Sequence, residues 1–296
     1  MKSRFYILLS FVALAILVSC ESEIDINLPP PEILVVVDAQ IENGKQVKVA
    51  VTKTAPYFDV INVATLSGIF INDAIVVLSD GTTTDTCQLT VDPSSFPPIY
   101  YTTPNPLLIG QTGKEYFLTV IALGKTLTSS TTIPQVVPID SIGWEQFGED
   151  DSLGLGWIYF QEPDTLGNYY LLQAKRQGYP YFVSVPGQSI SNDQLANGQY
   201  IEFVFGRPRP TPGWFNTATG DTTNGEGGIL WRRGDTIDVK FNSIDFASYE
   251  FLRTFNSAAG SFGNPFSAPT FVASNINGGL GGFVGLGASY YTYIVP

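Results

Sequence analysis

Gly113-Lys114-Glu115-Tyr116-Phe117-Leu118-Thr119-Val120-Ile121-Ala122-Leu123-Gly124-Lys125-Thr126-Leu127-Thr128-Ser129-Ser130-Thr131-Thr132-Ile133-Pro134 decides the fold. Tyr116, Leu118 and Val120 alternate with other residues, the period of a half-buried strand. Gly124-Lys125 supplies a turn. A second alternating run, rich in threonine, follows and stops at Ile133-Pro134. Two strands joined by a glycine turn form an antiparallel hairpin.

The same grammar recurs on both sides. Ile33 to Val37 is a β-branched run suited to a buried strand, and Asn43-Gly44 turns it into the alternating Gln46–Val51, a second hairpin. Ala74 to Leu78 is another strand, closed by the turn Ser79 to Thr82. A proline-rich loop, Pro93 to Pro106, carries Phe96, Tyr100 and Tyr101. Strands at this spacing, ending in a hairpin of this pattern, resemble an immunoglobulin-like module, which predicts a β-sandwich over residues 33–137.

Pro134 to Pro138 is the expected boundary, and a second β-rich domain, sandwich or barrel-like, is expected over 138–296. Gly156–Phe160 and Asn168–Ala174 read as strands paired across a turn at Pro163–Gly167. Gly198–Phe205 places Ile201, Phe203 and Phe205 on one face, and Asp235–Phe241 alternates cleanly. One accessory helix is expected near 245–258, with Phe246, Tyr249, Leu252 and Phe255 on its buried face and Gly260 as its stop. An aromatic strand, Ser289–Ile294, closes the chain. The class is therefore all-β.

Upstream of the folded part, Lys2 and Arg4 precede an apolar run from Phe5 to Val18, too short for a bilayer core that needs about 20 residues. This is the design of a cleavable leader over residues 1–19. Leu17-Val18-Ser19-Cys20 resembles the bacterial lipoprotein box, which implies cleavage before Cys20 and acylation of that cysteine. Residues 20–32 then form a tether that is acidic (Glu21, Glu23, Asp25) and stiffened by Pro29-Pro30-Pro31. The acidic cluster resembles the surface-export signal of Bacteroidota lipoproteins.

Composition narrows the partners. The whole chain carries a formal charge of −12; without the leader, 13 basic residues face 27 acidic ones, a charge of −14. This argues against nucleic acid, which needs clustered Lys and Arg. The chain contains no histidine, which removes Ser-His-Asp and Cys-His catalysis. Once Cys20 is acylated, Cys87 is the remaining cysteine, expected as a small buried hydrophobe with no disulfide.

Gly278–Gly282 lacks the lysine and helix start of a phosphate cradle, and reads as turns or close strand approach. Glu149-Asp150-Asp151 and Asp221–Glu226 lack EF-hand spacing and read as solvated loop acids. No metal or cofactor is expected, and no pair of carboxylates is placed for glycoside hydrolysis. The aromatics Trp214 and Phe215, on the long loop from Gly206 to Gly228, and Trp231 beyond it are the candidate ligand-binding residues.

A lipobox, a sandwich-like first half, and a helix leading into Asn264-Pro265-Phe266 and then Asn275-Ile276-x-Gly278-Gly279-Leu280-Gly281-x-Phe283 resemble a group of Bacteroidota outer-membrane lipoproteins of unknown function, often encoded beside TonB-dependent receptors. The resemblance covers nearly the whole chain. It implies location and company, the outer membrane beside a TonB-dependent uptake barrel, and it implies no ligand. Taken with the lipobox and the missing catalytic constellations, the expectation is a lipid-anchored, surface-exposed outer-membrane protein that assists a TonB-dependent barrel as a non-catalytic binding or accessory subunit, its ligand left open among small molecule, glycan and peptide. An adhesin or matrix-binding module is the second expectation, and a hydrolase with an unrecognised carboxylate pair the third.

Overall fold

A computed structural model of the chain describes residues 32–55, 68–208, 228–261 and 271–296. The leader, Cys20, the tether up to Pro31, the Trp214-Phe215 loop and Asn264-Pro265-Phe266 lie outside these residues. Strands dominate the described residues, in an all-β, sandwich-type fold.

Strands β1 (Val35–Glu42) and β2 (Lys48–Lys53) form the hairpin that Asn43-Gly44 predicts, with Gly44 at φ 77°. Strands β3 (Ile75–Ser79), β4 (Thr84–Thr86), β5 (Gln88–Val91) and β6 (Ile99–Thr102) follow. The decisive hairpin is β7 (Glu115–Ala122) and β8 (Lys125–Thr132), in register from Glu115–Thr132 to Ala122–Lys125. Its turn falls on Leu123-Gly124, one residue earlier than the sequence suggests, with φ values of 49° and 72°. Two successive positive φ values give a turn whose twist matches the strands it joins.

The sheet β4-β3-β7-β8 faces the layer formed by β1, β2, β6 and β5. Val37, Val49, Leu78, Leu118 and Leu127 fill the space between them. Each buried side chain of this kind contributes roughly 1.5–3 kcal/mol.

The second half adds β9 (Ser141–Gln146), β10 (Leu153–Gln161), β11 (Tyr169–Arg176), β12 (Val183–Ser184), β13 (Ile190–Asn192), β14 (Tyr200–Phe205), β15 (Trp231–Arg232) and β16 (Thr236–Ile244). Strands β9, β14 and β15 all pair with β10 in one layer. Strand β11 pairs with β12, β13 and β16 in the other. The expected side-by-side pairing of β10 with β11 is therefore wrong: they lie in opposite layers, and Phe160 meets Tyr170 across the core at 5.7 Å. Buried polar contacts explain the crossing. Glu162 accepts hydrogen bonds from Tyr170 Oη and Asn168 Nδ2, while Asp193 accepts from the backbone N–H groups of Gly167 and Asn168. These bonds turn the chain through the thickness of the sandwich. The second half closes as a layered sandwich, not a barrel.

The last strand, β17 (Leu280–Ile294), joins the two halves. Its residues 280–286 pair in parallel with β1, and residues 287–294 pair antiparallel with β16. Of the hydrophobic clusters, one holds residues up to Ile133 plus Ile276 and Phe283, and another runs from Val137 to Val295. Backbone pairing through β17 links the elements that carry these two clusters, and residues 33–296 form one compact unit.

Glycine makes β17 possible. A Cβ on Gly281 would stand 2.0 Å from the Val37 carbonyl oxygen, and φ there is 107°. Gly282 and Gly285 make room for the Phe251 ring and the Thr132 carbonyl in the same way. Close strand approach is thus what the glycine run provides.

Helix α1 (Phe246–Ser261) starts on Asp245, whose Oδ1 accepts from Ser248 N at 2.8 Å. The other oxygen accepts from Thr131 Oγ1 at 2.8 Å and Thr132 N at 3.1 Å, tying the helix start to β8. Gly260 lies inside the helix and does not stop it. The buried stripe also departs from expectation. Tyr249, Phe251 and Leu252 pack on Leu171, Ile244, Val284 and Leu286, whereas Phe246 and Phe255 are 58% and 52% exposed. Ser248, Phe251 and Leu252, spaced by three and four, define the contact line, because the wide glycine surface of β17 accepts Phe251 directly.

Asp245→Ala is expected to cost about 2 kcal/mol, the loss of a cap plus two hydrogen bonds. Urea denaturation checks this, and Asp245→Asn, which keeps a cap acceptor, should lose less.

Candidate functional site: a lysine and aromatic cleft

Strand alternation sends one set of residues into the cores and the other to the outer face of the long sheet. On β1, Val35, Val37, Ala39 and Ile41 are core, so Gln40 and Glu42 face outwards. On β2, Lys48 lies between core residues Val47 and Val49; on β16, Lys240 lies between Val239 and Phe241. Register then aligns them: Gln40 opposite Lys48, and Gln173, Lys240 and Tyr290 in one row across β11, β16 and β17.

These residues floor a cleft of about 440 Å³, a size typical of small-molecule sites. Two loops wall it. Ser95 and Phe96 come from the proline-rich loop after β5, and Tyr181 and Phe182 from the segment before β12. The Phe96 and Tyr181 rings meet at 5.4 Å, and Phe182 meets Tyr290 edge-on at 5.6 Å.

Glu42, 7% exposed, is the hub of the floor. It takes the Lys240 ammonium at 2.7 Å, the Lys45 ammonium at 2.7 Å and a short hydrogen bond from the Tyr290 hydroxyl. Burial alone would raise its carboxyl; attraction and hydrogen bonds from Lys240, with those from Lys45 and Tyr290, outweigh it and hold the carboxyl below its ordinary value. Lys240, 6% exposed, shifts the other way than an ion pair implies. Burial pulls its ammonium down, Glu42 opposes this, and the like charges of Lys45 and Lys48 add to the fall. The asymmetry is physical, since three donors converge on one carboxylate while Lys240 has one anion and two cations near it.

Lys48 is the other notable cation. Its ammonium donates to Ser95 Oγ at 2.9 Å and lies 4.8 Å from the Tyr100 ring centre. Burial lowers its pKa, with Asp92 opposing. Asp92 is itself occupied by the Ser94 and Ser95 hydroxyls at 2.6 Å each. Lys45 stands over the Tyr290 ring at 4.8 Å. Three lysines thus gather in one cleft of a strongly acidic chain, a focus of positive potential.

The residues proposed from sequence lie elsewhere. Trp231 is a core residue, 0% exposed, packed edge-on against Phe205 at 6.1 Å, so no ligand in solvent can stack on it. It pairs with Gly154 on β10, and that placement turns its ring inwards. Trp214 and Phe215 fall outside the described residues, as does Asp221–Glu226. Asp150 caps its own loop through Ser152, and among the described residues no cluster of three or more His, Cys, Asp or Glu converges as a metal site. Cys87 is buried in the first core, and burial pushes its thiol up to about 12, which fits the small-hydrophobe reading.

A smaller cavity of about 210 Å³ opens in the second sandwich beside Phe160, Tyr170 and Phe203. Glu162 lines it, and burial raises that carboxyl.

The fold and the cleft define an all-β sandwich protein with a basic, aromatic binding-site-sized recess on its shared sheet. The chain belongs to the family described as a domain of unknown function (DUF4249), whose model matches residues 21–291. No curated protein matches the sequence.

Proposed function

We propose that this chain is a lipid-anchored outer-membrane protein that binds a ligand in the lysine and aromatic cleft and serves a TonB-dependent uptake receptor as a non-catalytic accessory subunit. The observation that carries the binding reading is the cleft itself. It has the volume for a small molecule, rings on its walls, and ammonium donors on its floor. Its carboxylate, Glu42, is occupied by Lys240, Lys45 and Tyr290, so the groups turned to a ligand suit holding it, not transforming it. The anchor and the receptor rest on the sequence: the apolar leader, Leu17-Val18-Ser19-Cys20, the acidic tether and the family resemblance.

Metabolic labelling with a palmitate analogue, followed by cross-linking and pull-down of the full chain from membranes, tests the proposal. The expected result is acyl label that disappears in Cys20→Ala, with an outer-membrane barrel co-purifying. An unlabelled chain released into the medium, or a labelled chain that brings down no barrel, overturns the anchor or the receptor partnership respectively.

A further inference from the structure

We propose that the cleft ligand is an organic carboxylate borne on a ring with an apolar face. The inference rests on the reading of the cleft as a binding site and adds the sign and shape of what enters it.

The sign follows from what is already satisfied. Glu42 has both oxygens engaged, by Lys240 on one and by Lys45 and Tyr290 on the other. A cationic ligand would therefore find three ammonium groups and no available carboxylate on the floor. An anion meets the opposite situation. Lys48 is half-buried and held in place by Ser95 Oγ and the Tyr100 ring, yet no ion pair satisfies it among the described residues. Asp92 and Glu42 attract it from beyond ion-pair reach, and burial still outweighs them, so the ammonium keeps an electrostatic cost that no contacting anion offsets. A ligand carboxylate at Lys48 removes that cost, and a charge-assisted hydrogen bond there is stronger than a neutral one.

The shape follows from the walls. Phe96 and Tyr181 meet from the two loops, and Phe182, from the second loop, packs edge-on against Tyr290 of the floor. Packed against one another, these rings present an apolar aromatic wall, and such a wall suits a flat apolar surface. The acidic balance of the whole chain adds weight: a formally negative protein brings three of its eight lysines together here, where they raise the local concentration of anions.

Two sources offer this chemistry, acidic sugars and aromatic acids. Isothermal titration of the purified full chain with digalacturonate and with indole-3-carboxylate, each beside its methyl ester, separates them. The expected result is that at least one acid binds, with its ester about tenfold weaker or worse. Lys48→Met should weaken the acid by about tenfold and leave the ester unchanged, while Lys48→Arg retains most of the affinity. Circular-dichroism melts confirm that the variants fold. An ester that binds as well as its acid, through a cleft that Tyr181→Ala disables, overturns the anion inference but leaves the cleft as a binding site. Binding of neither acid, or binding indifferent to both Lys48→Met and Tyr181→Ala, overturns the inference. The receptor partnership is judged separately by the pull-down.

Discussion

Glu42→Ala is expected to destabilise the folded unit by about 3–5 kcal/mol, because it strands a buried ammonium. Lys240 is nearly inaccessible and its ion-pair partner is Glu42, at 2.7 Å. The Tyr290 hydroxyl loses its acceptor in the same step. Two comparisons isolate the cause. Glu42→Ala combined with Lys240→Met removes both charges and should recover most of the loss. Lys45→Ala removes the exposed arm of the network and should cost at most about 1 kcal/mol. Urea unfolding of the full chain measures all three, and equal losses for the single and double variants would show that the pair is not the reason. The pH dependence has a definite sign. The folded carboxyl lies below its ordinary value, so its contribution is present above the unfolded carboxylate range and fades as pH falls through the folded value. The double variant should therefore lose less stability on acidification than the native chain.

Gly281→Ala is expected to cost at least about 3 kcal/mol, combining left-handed strain with a collision. The new methyl would stand 2.0 Å from the oxygen and 3.0 Å from the nitrogen of Val37, and backbone atoms have no rotamer to escape through. Val37 is also the residue paired with Gly281 in the β1–β17 ladder. Thermal unfolding followed in the near and far ultraviolet should show both sandwiches failing in one transition at a lower temperature. Gly260→Ala gives the contrast. That glycine lies in a helix with nothing within 4 Å, so alanine there should stabilise by up to about 1 kcal/mol.

Alternation made much of the fold legible. The β7–β8 and β1–β2 hairpins, β14 and β16 were all readable because each buries one face and the side-chain period is two. The last strand was only half readable. Ser289–Ile294 is aromatic and reads as strand, but Leu280–Gly287 is glycine-rich, and glycine weakens a strand by every local measure. Its reason appears only when Val37, Phe251 and Thr132 are in place beside it. Partner choice was likewise hidden: β10 and β11 read correctly as strands, yet the Glu162 and Asp193 hydrogen bonds that send them to opposite layers leave no periodic trace. Trp231 followed a loop and read as a surface ring, whereas its pairing with Gly154 turns it into the core. The cleft was least legible of all. Lys48 and Lys240 lie on the polar faces of ordinary strands, and only the register through β17 brings them together.

The parallel ladder between β1 and β17 has a temporal meaning. Strand β1 leaves the ribosome long before β17, its neighbour, so that edge of the amino-terminal layer stays unpaired until residues 280–286 have been made. The two halves therefore mature together, and a copy lacking Leu280–Ile294 would lose the seam between them.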